Sequence, residues 1–507
     1  MLRQIPEPVK NVIETLQKAR FEAFAVGGCV RDLLLGRAPK DWDITTDATP
    51  DQVIKLFPES FYENDFGTVG VKVPRFLEST PKEKEDDIIE VTTYRIESEY
   101  TDKRRPKEVL FTKSLEEDLA RRDFTINAIA YGVQDTNKKE QESSSNWEIV
   151  DPFDGQADLQ KKVIRTVGDP AERFNEDALR LMRAVRFYAE LRDPQKKKPA
   201  HSWHIEEKTF QAIQKLAKNL EAISQERIRD ELTKIILSDS PSEGVEMLEQ
   251  AGLLRFIIPE LEEGIGVTQN LHHIYTVWEH NLRALATCPS KKLSVRLAAL
   301  LHDVGKPKTK RGDGYRSTFY NHDHVGARMV DKILTRLRFS KIIVKKATLL
   351  VDNHLFYYNV DEVTEASVRR LVKRVGLENM GDLMAVRIGD RLGSGVPKAK
   401  PYKLRHLEYM IDKVSQDPIS VKMLALKGTD LMEALKIPAG PKIGVLLDVL
   451  LAEVIEDPKK NTKETLSTRA KELVDHKLEK LRELAKEKID EKREEDDTQI
   501  KKRHWVE

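Results

Sequence analysis

In GGCVRDLLLGRAPKDWDITT, residues 27–46, two glycines follow the apolar run FEAFAV, and a second apolar-polar run carries two aspartates. FEAFAV reads as a strand ending at Gly27 and Gly28, and VRDLLLG as the helix that the glycines open. Without a Cβ, such residues let backbone N–H groups approach an anion near the positive end of a helix. On their own they fit a tight turn equally well. Asp41 and Asp43 add a sharper constraint, because residues two apart in a strand project to one face. Two carboxylates held together are costly unless a cation neutralises them. Two divalent ions, one at an attacking hydroxyl and one at a leaving phosphate, are the chemistry that needs such a pair.

Outward from this stretch, residues 5–20 show helical spacing at Val9, Val12, Ile13 and Leu16. TVGVKV, DIIEVTTYR and WEIV read as strands, and TPDQVIKLF and SLEEDLARRDFTINAIAYG as helices. Residues 1–150 therefore form a mixed α+β domain with a small sheet. In DIIEVTTYR, Glu90 stands among Ile88, Ile89 and Val91, an unusual polar residue in an apolar strand and the candidate third acid of the site. The polar stretch NKKEQESSSNW is expected to be a loop tip. Beyond DPFDGQADLQKKVIRTVGDP the strand signal nearly vanishes, and helical periodicity runs to the end.

Composition bounds what the chain can be. At 507 residues it exceeds a single domain several-fold, and its acids and bases cancel to a formal +1. A uniformly basic coat for nucleic acid is excluded, so any polyanion must be met by a local patch. Cys29 and Cys288 are the only cysteines, too few for a disulfide scaffold. The opening MLRQIPEPVKNVIETL has no apolar h-region, and VLLDVLLAEVI near residue 445 is too short to span a bilayer. No membrane association is expected, and the expected compartment is the cytoplasm.

Five segments taken in order, GGCVRDLLLGRAPKDWDITT, IIEVTTYR, RRDFTINAIAYG, DPFDGQADL and NEDALRLMRAVRF, resemble the successive motifs of the class II tRNA nucleotidyltransferases, the CCA-adding enzymes and bacterial poly(A) polymerases. The resemblance covers about the first 270 residues. It implies a polymerase-β-like head that uses ATP and CTP to build the 3′ end of tRNA, with magnesium at Asp41 and Asp43 and nucleotide contacts at Gly27, Gly28 and Arg31. Arginine chelates phosphate oxygens and aspartate accepts from a ribose hydroxyl, so in RRD the family's pattern assigns Arg122 to the nucleotide and Asp123 to sugar selection. In NEDALRLMRAVRF, read as one helix, Asp177, Arg180, Arg183 and Arg186 recur every third position, while Leu179, Met182 and Val185 form the buried face. The resemblance implies that Asp177 and Arg180 pair with the incoming base and that Arg183 and Arg186 lie near the nucleotide. RIESEYTDKRRPKEVL, between Tyr94 and Phe111, resembles the mobile loop that helps this family switch from C to A addition.

A second constellation lies downstream. TVWEHNLRAL, RLAALLHDVGKP and AVRIGDRLG supply His280, His302 with Asp303, and Asp390, imidazoles and carboxylates suited to a divalent or transition metal. The set resembles the HD phosphohydrolase superfamily, and His322 and His354 sit where its binuclear members place ligands for a second ion. Nickel, manganese, cobalt or magnesium would suit these donors. The implied chemistry is hydrolysis of a phosphoester at a damaged RNA end. In the tail, Lys427, Lys436, Lys442, Lys459, Lys460 and Lys463 offer phosphate contacts to tRNA.

The resulting layout is a nucleotidyltransferase head over 1–150, a helical neck and body over 151–268, an HD domain over 269–405 and a helical, charged tail over 406–507. The leading expectation is template-free addition of C and A from CTP and ATP to tRNA. Competing with it are a poly(A) polymerase or A-adding enzyme sharing the same head, and an HD phosphohydrolase whose head only binds nucleotide.

Overall fold

The computed structural model describes residues 5–64, 67–77, 86–97, 109–133, 147–192, 202–270, 274–356, 358–360, 362–395, 400–415, 421 and 424–506. Most of the basic connection between Tyr94 and Phe111, and of the polar stretch before Trp147, lies outside the described residues. The chain divides into two compact units, Met1–Asp352 with Gly389–Gly395, and Asn353–Ile388 with Val396–Glu507.

The first unit opens with strands β1 (Ala23–Val26), β2 (Asp43–Thr46), β3 (Ser60–Asn64), β4 (Thr68–Pro74), β5 (Asp86–Thr93), β6 (Arg95–Glu97), β7 (Val109–Phe111), β8 (Ala130–Gly132) and β9 (Glu148–Val150). Seven of them form one sheet in the order β3-β4-β5-β2-β1-β8-β9. All neighbours are antiparallel except β2 and β5, which run parallel with Asp43 opposite Glu90. Among these strands thread α1 (Glu7–Lys18), α2 (Gly28–Leu34), α3 (Pro50–Leu56) and α4 (Leu115–Ala120). The four apolar positions read from α1 are its buried face, and α1 and α3 pack on the sheet. Along β5 burial alternates, with Ile89 and Val91 in the core and Ile88 and Glu90 on the open side.

Two segments read as single helices are broken. SLEEDLARRDFTINAIAYG is helical only as α4. Asp123 then turns its carboxylate onto the amide of Phe124 at 2.9 Å, and the chain runs through a 3-10 turn at Thr125–Asn127 into β8. An aspartate bonding its own backbone competes with the helix, and the β-branched Thr125 and Ile126 do not favour its resumption. Likewise NEDALRLMRAVRF splits at Asp177, extended at φ −138° and ψ 106°, whose carboxylate accepts from the amide of Leu179 at 3.0 Å. Asp177 therefore stands at the junction of two helices and not within one.

The helical remainder of this unit comprises α5 (Gly155–Lys161), α6 (Pro170–Glu176), α7 (Leu179–Leu191), α8 (Glu207–Leu216), α9 (Gln225–Leu237), α10 (Pro241–Gln250), α11 (Pro259–Glu262), α12 (Val277–Thr287), α13 (Leu293–Leu301), α14 (Lys306–Thr309), α15 (His322–Arg336) and α16 (Lys341–Asp352). Leu179, Met182 and Val185 are buried on α7, which packs against α9 and α10. The second unit contains α17 (Glu365–Val375), α18 (Leu377–Gly393, whose end from Gly389 groups with the first unit), α19 (Tyr402–Ser415), α20 (Gly428–Leu435), α21 (Pro441–Glu456), α22 (Lys463–Leu473) and α23 (Leu478–His504). Its apolar centre gathers Leu431, Leu446, Leu450, Leu466 and Leu481 from α20 to α23. No helix among the described residues is long and apolar enough to cross a membrane.

Candidate active site

Strand order alone brings the head's acids together. β2 and β5 are neighbours in register, so Asp43 and Glu90 face the same side of adjacent strands. Asp41 precedes β2 by two residues and is exposed, while Trp42 between them is buried. Burial, then the Asp41 carboxylate, pushes Asp43 up to about 6. Burial, then Asp43, Glu63 and Asp41, pushes Glu90 up to about 7. Crowded carboxylates that resist ionisation are a donor set that a hard cation relieves, so these residues fit a divalent metal. Glu63, beside a bulge in β3, is a further acid near them that sequence periodicity did not reveal.

Beside the acids, on the β1 side, lies the glycine turn. Gly27 has φ +81°, the left-handed region, and a Cβ built there would lie 3.1 Å from Nη1 of Arg122 and 3.9 Å from Oδ2 of Asp43. The glycine thus keeps open a space bounded by a guanidinium and a carboxylate. Arg31, one turn into α2, donates to Asn127 at 2.8 Å and pairs with Asp32 at 2.9 Å. Arg122 is oriented by Asp118, which has no exposed surface, at 3.3 Å. Asp118 also holds Arg121 at 2.8 Å and accepts from Thr45 at 3.0 Å, tying α4 to β2.

Asp123 is buried and bound on both oxygens, by Asn127 at 3.2 Å and by Nε of Arg183 at 2.6 Å. Burial alone would raise it, but Arg183 and Arg180 outweigh that and hold it at about 2. At the junction of α6 and α7, Arg227 from α9 grips both oxygens of Asp177, at 3.1 and 2.7 Å. Arg180 pairs with Glu176 and donates to the carbonyls of Arg173 and Arg121 at 3.2 and 3.1 Å. Arg186 lies 3.2 Å from Glu231, and the guanidinium groups of Arg31, Arg183 and Arg186 surround the Phe187 ring within 5.6 Å. Asp118, Glu176, Arg227 and Glu231, which hold the charged groups in place, were missed in the sequence. Arg227 lies 50 residues from Asp177 on another helix, and no local pattern links them.

The histidine cluster sits in the first unit. Nε2 of His280 on α12 is 3.0 Å from Nε2 of His302, which caps α13, and 3.2 Å from both Oδ2 of Asp303 and Oδ1 of Asp390. Nδ1 of His302 is 2.8 Å from the carbonyl of Ala299, which turns Nε2 toward the cluster. His280, His302 and Asp303 converge closely enough to fit a metal ion by donor type and by position, and Asp390 lies beside them, 3.2 Å from His280. Burial opposes a charge on His280, but Asp303 and Asp390 outweigh it and raise it to about 9. His322 adds Nε2 at 3.2 Å from Oδ1 of Asp303, and buried Lys306 lies 2.6 Å from Oδ2. His354 is buried in the second unit. In that unit Lys463 pairs with Asp430 at 2.8 Å, while Lys427, Lys436, Lys459 and Lys460 are exposed.

Four known families match segments along the chain, the last two overlapping: the Poly A polymerase head domain over 23–165, a probable RNA and SrmB-binding site of polymerase A over 203–265, the HD domain over 265–378, and a putative tRNA nucleotidyltransferase domain 2 over 329–470. Asp390 lies beyond the HD match. An A-adding tRNA nucleotidyltransferase from Deinococcus radiodurans is 33% identical, over 84% of this chain and 90% of its own. A CCA-adding enzyme from Lactococcus lactis subsp. cremoris is 30% identical, over 94% and 99%. A Bacillus stearothermophilus CCA-adding enzyme crystallised with CTP superposes with a TM-score of 0.55 at 27% identity, over 92% of this chain and 98% of that one.

Proposed function

This chain belongs to the tRNA nucleotidyltransferases, and from that premise we propose that it adds C and A, from CTP and ATP, to the 3′ end of tRNA without a nucleic-acid template. The observation that carries the proposal is the register of β2 against β5, which sets Glu90 beside Asp43, itself beside the open Gly27 turn. Magnesium held by Asp41, Asp43 and Glu90 would supply charge neutralisation for the attacking hydroxyl and the leaving pyrophosphate. The chain's own groups do the positioning. Gly27 and Gly28 admit the triphosphate, and Arg31 and Arg122 hold its oxygens, the latter steadied by Asp118. Asp123, fixed by Arg183 and Asn127, accepts from the ribose hydroxyl. Asp177 and Arg180 meet the base edge, with Arg227 and Glu176 setting their planes before the nucleotide arrives, and Arg186 supports the stack around Phe187.

For the histidine cluster we propose phosphoester hydrolysis at RNA ends. A divalent ion, such as nickel, manganese, cobalt or magnesium, held by His280, His302, Asp303 and Asp390 would supply an activated water, with His322 available to a second ion. His302→Ala with Asp303→Ala is expected to abolish hydrolysis of a 2′,3′-cyclic phosphate and to leave nucleotide addition intact. Unchanged hydrolysis sinks that assignment. The proposed domain limits stay at 150, 268 and 405, and the proposed compartment is the cytoplasm.

The test of the main reading is incubation with tRNA lacking CCA and each labelled nucleotide in turn. Incorporation of C, followed by A, is expected. The Deinococcus relative supports a second reading, an A-adding enzyme, which predicts A on tRNA already ending in CC and no C under any condition.

A further inference from the structure

The strand order separates two sides of the acid cluster. β1 and the Gly27 turn flank β2 on one side, and β5, β4 and β3 extend on the other. If pyrophosphate leaves toward Gly27 and Arg122, in-line displacement brings the attacking 3′ hydroxyl from the opposite side, over β5 and β4. That direction of attack rests on the chain acting as a nucleotidyltransferase.

On that opposite side the open face of the sheet carries an aromatic platform. Glu90 pairs with Gly70 on β4, and Gly70 with Phe61 on β3, so the three positions form one row on one face. Phe61 is 38% exposed, and its ring lies on Gly70: a Cβ built there would come within 2.7 Å of ring carbon Cζ and 3.0 Å of both Cε atoms. Only a glycine lets the ring fold flat toward Glu90. β3 runs about 10 Å from β5, and the inclined ring shortens that gap. The adjoining row on the same face pairs Lys72 with Ile88, the first exposed and the second 45% exposed. A flat ring, an aliphatic side chain and a cation next to catalytic carboxylates have the chemistry of a single-stranded RNA subsite, in which a base stacks and a phosphate is neutralised.

We propose that Phe61, laid over Gly70, stacks with the 3′-terminal base of the RNA being extended, while Ile88 borders that base and Lys72 meets its phosphate. The subsite holds the primer and not the incoming nucleotide.

Steady-state addition of labelled C to tRNA lacking CCA tests this. Phe61→Leu is expected to raise KM for the tRNA about tenfold, the worth of one base stack, with KM for CTP changed less than about twofold and Phe61→Trp restoring the wild-type value. A ring that only covers Gly70 would lower the melting temperature and leave KM for tRNA unmoved. The wild-type chain provides the second measurement. An RNA whose 3′-terminal nucleotide lacks its base should show the same rise in KM, with no further rise in Phe61→Leu. An unchanged KM for tRNA in the variant, an equal rise for CTP, or equal use of the base-less RNA by the wild type overturns the proposal. A wild-type protein that adds no nucleotide overturns the transferase reading itself, a result distinct from these.

Discussion

Asp118 has no exposed surface and is bonded to Arg121, Arg122 and Thr45 together. Removing its charge takes away the buried carboxylate that two guanidinium groups, the Thr45 hydroxyl and the Arg95 amide share, which costs about 3–5 kcal/mol. Asp118→Ala is expected to lose that much in denaturant unfolding, and in the folded fraction to raise KM for CTP as Arg122 loses its anchor. Asp43 and Glu90 make a prediction of opposite sign. Both are raised, to about 6 and about 7, so between their unfolded values near pH ~4 and these folded values the native state holds more protons than the unfolded one. Stability of the metal-free protein therefore falls as pH rises through that window. Above it the carboxylates are fully charged and crowded, and magnesium has most to relieve. Addition of magnesium should raise the melting temperature more at about pH 8 than at about pH 5, and Asp43→Asn should remove most of that difference. An equal gain at both pH values would place the ion elsewhere.

The end of α18 reaches α12 through glycines. A Cβ at Gly389 would lie 2.6 Å from the carbonyl oxygen of Ala284, and one at Gly393 2.9 Å from the amide nitrogen of Ala284. The spacing of four puts both on one side of the helix, so backbone meets backbone and Asp390 is carried to 3.2 Å from His280. Gly389→Val is expected to push the turn outward and weaken manganese binding about tenfold or more, read by calorimetry in an Asp43→Asn background that silences the head. Nucleotide addition by Gly389→Val with Asp43 intact should change less than about twofold; unaltered manganese affinity would show that Asp390 is dispensable. Strand and helix identities were legible where one period dominated, as in α1, β2 and β5. The breaks at Asp123 and Asp177 were not, because an aspartate bonding its own backbone looks, in sequence, like any helix-surface acid. Those breaks set Asp123 against Arg183 and Asp177 against Arg227.

Across the whole chain, what sequence made visible was the list of charged groups, and what it hid was their mutual arrangement. Asp43 and Glu90 were legible because strand alternation is a local rule, whereas Asp41 lies ahead of β2, and Arg227 on Asp177 and Glu231 on Arg186 depend on how α7 meets α9. The same limit applies to the tail lysines, of which Lys463 is spent on Asp430. With a net charge of +1, the molecule as a whole does not attract RNA, so binding of tRNA must come from local cations displacing counterions. Lys436, Lys459 and Lys460 are exposed and lie in or beside the segment that matches the tRNA nucleotidyltransferase domain 2 family. If they meet the tRNA backbone, each contributes a slope of about 0.9 to the fall of log affinity with log salt. Changing all three to glutamate should therefore flatten the slope measured by filter binding by about 2–3 and raise KM for tRNA, with KM for CTP unmoved. An unchanged slope would assign tRNA binding to other cations and leave these lysines a role in solubility.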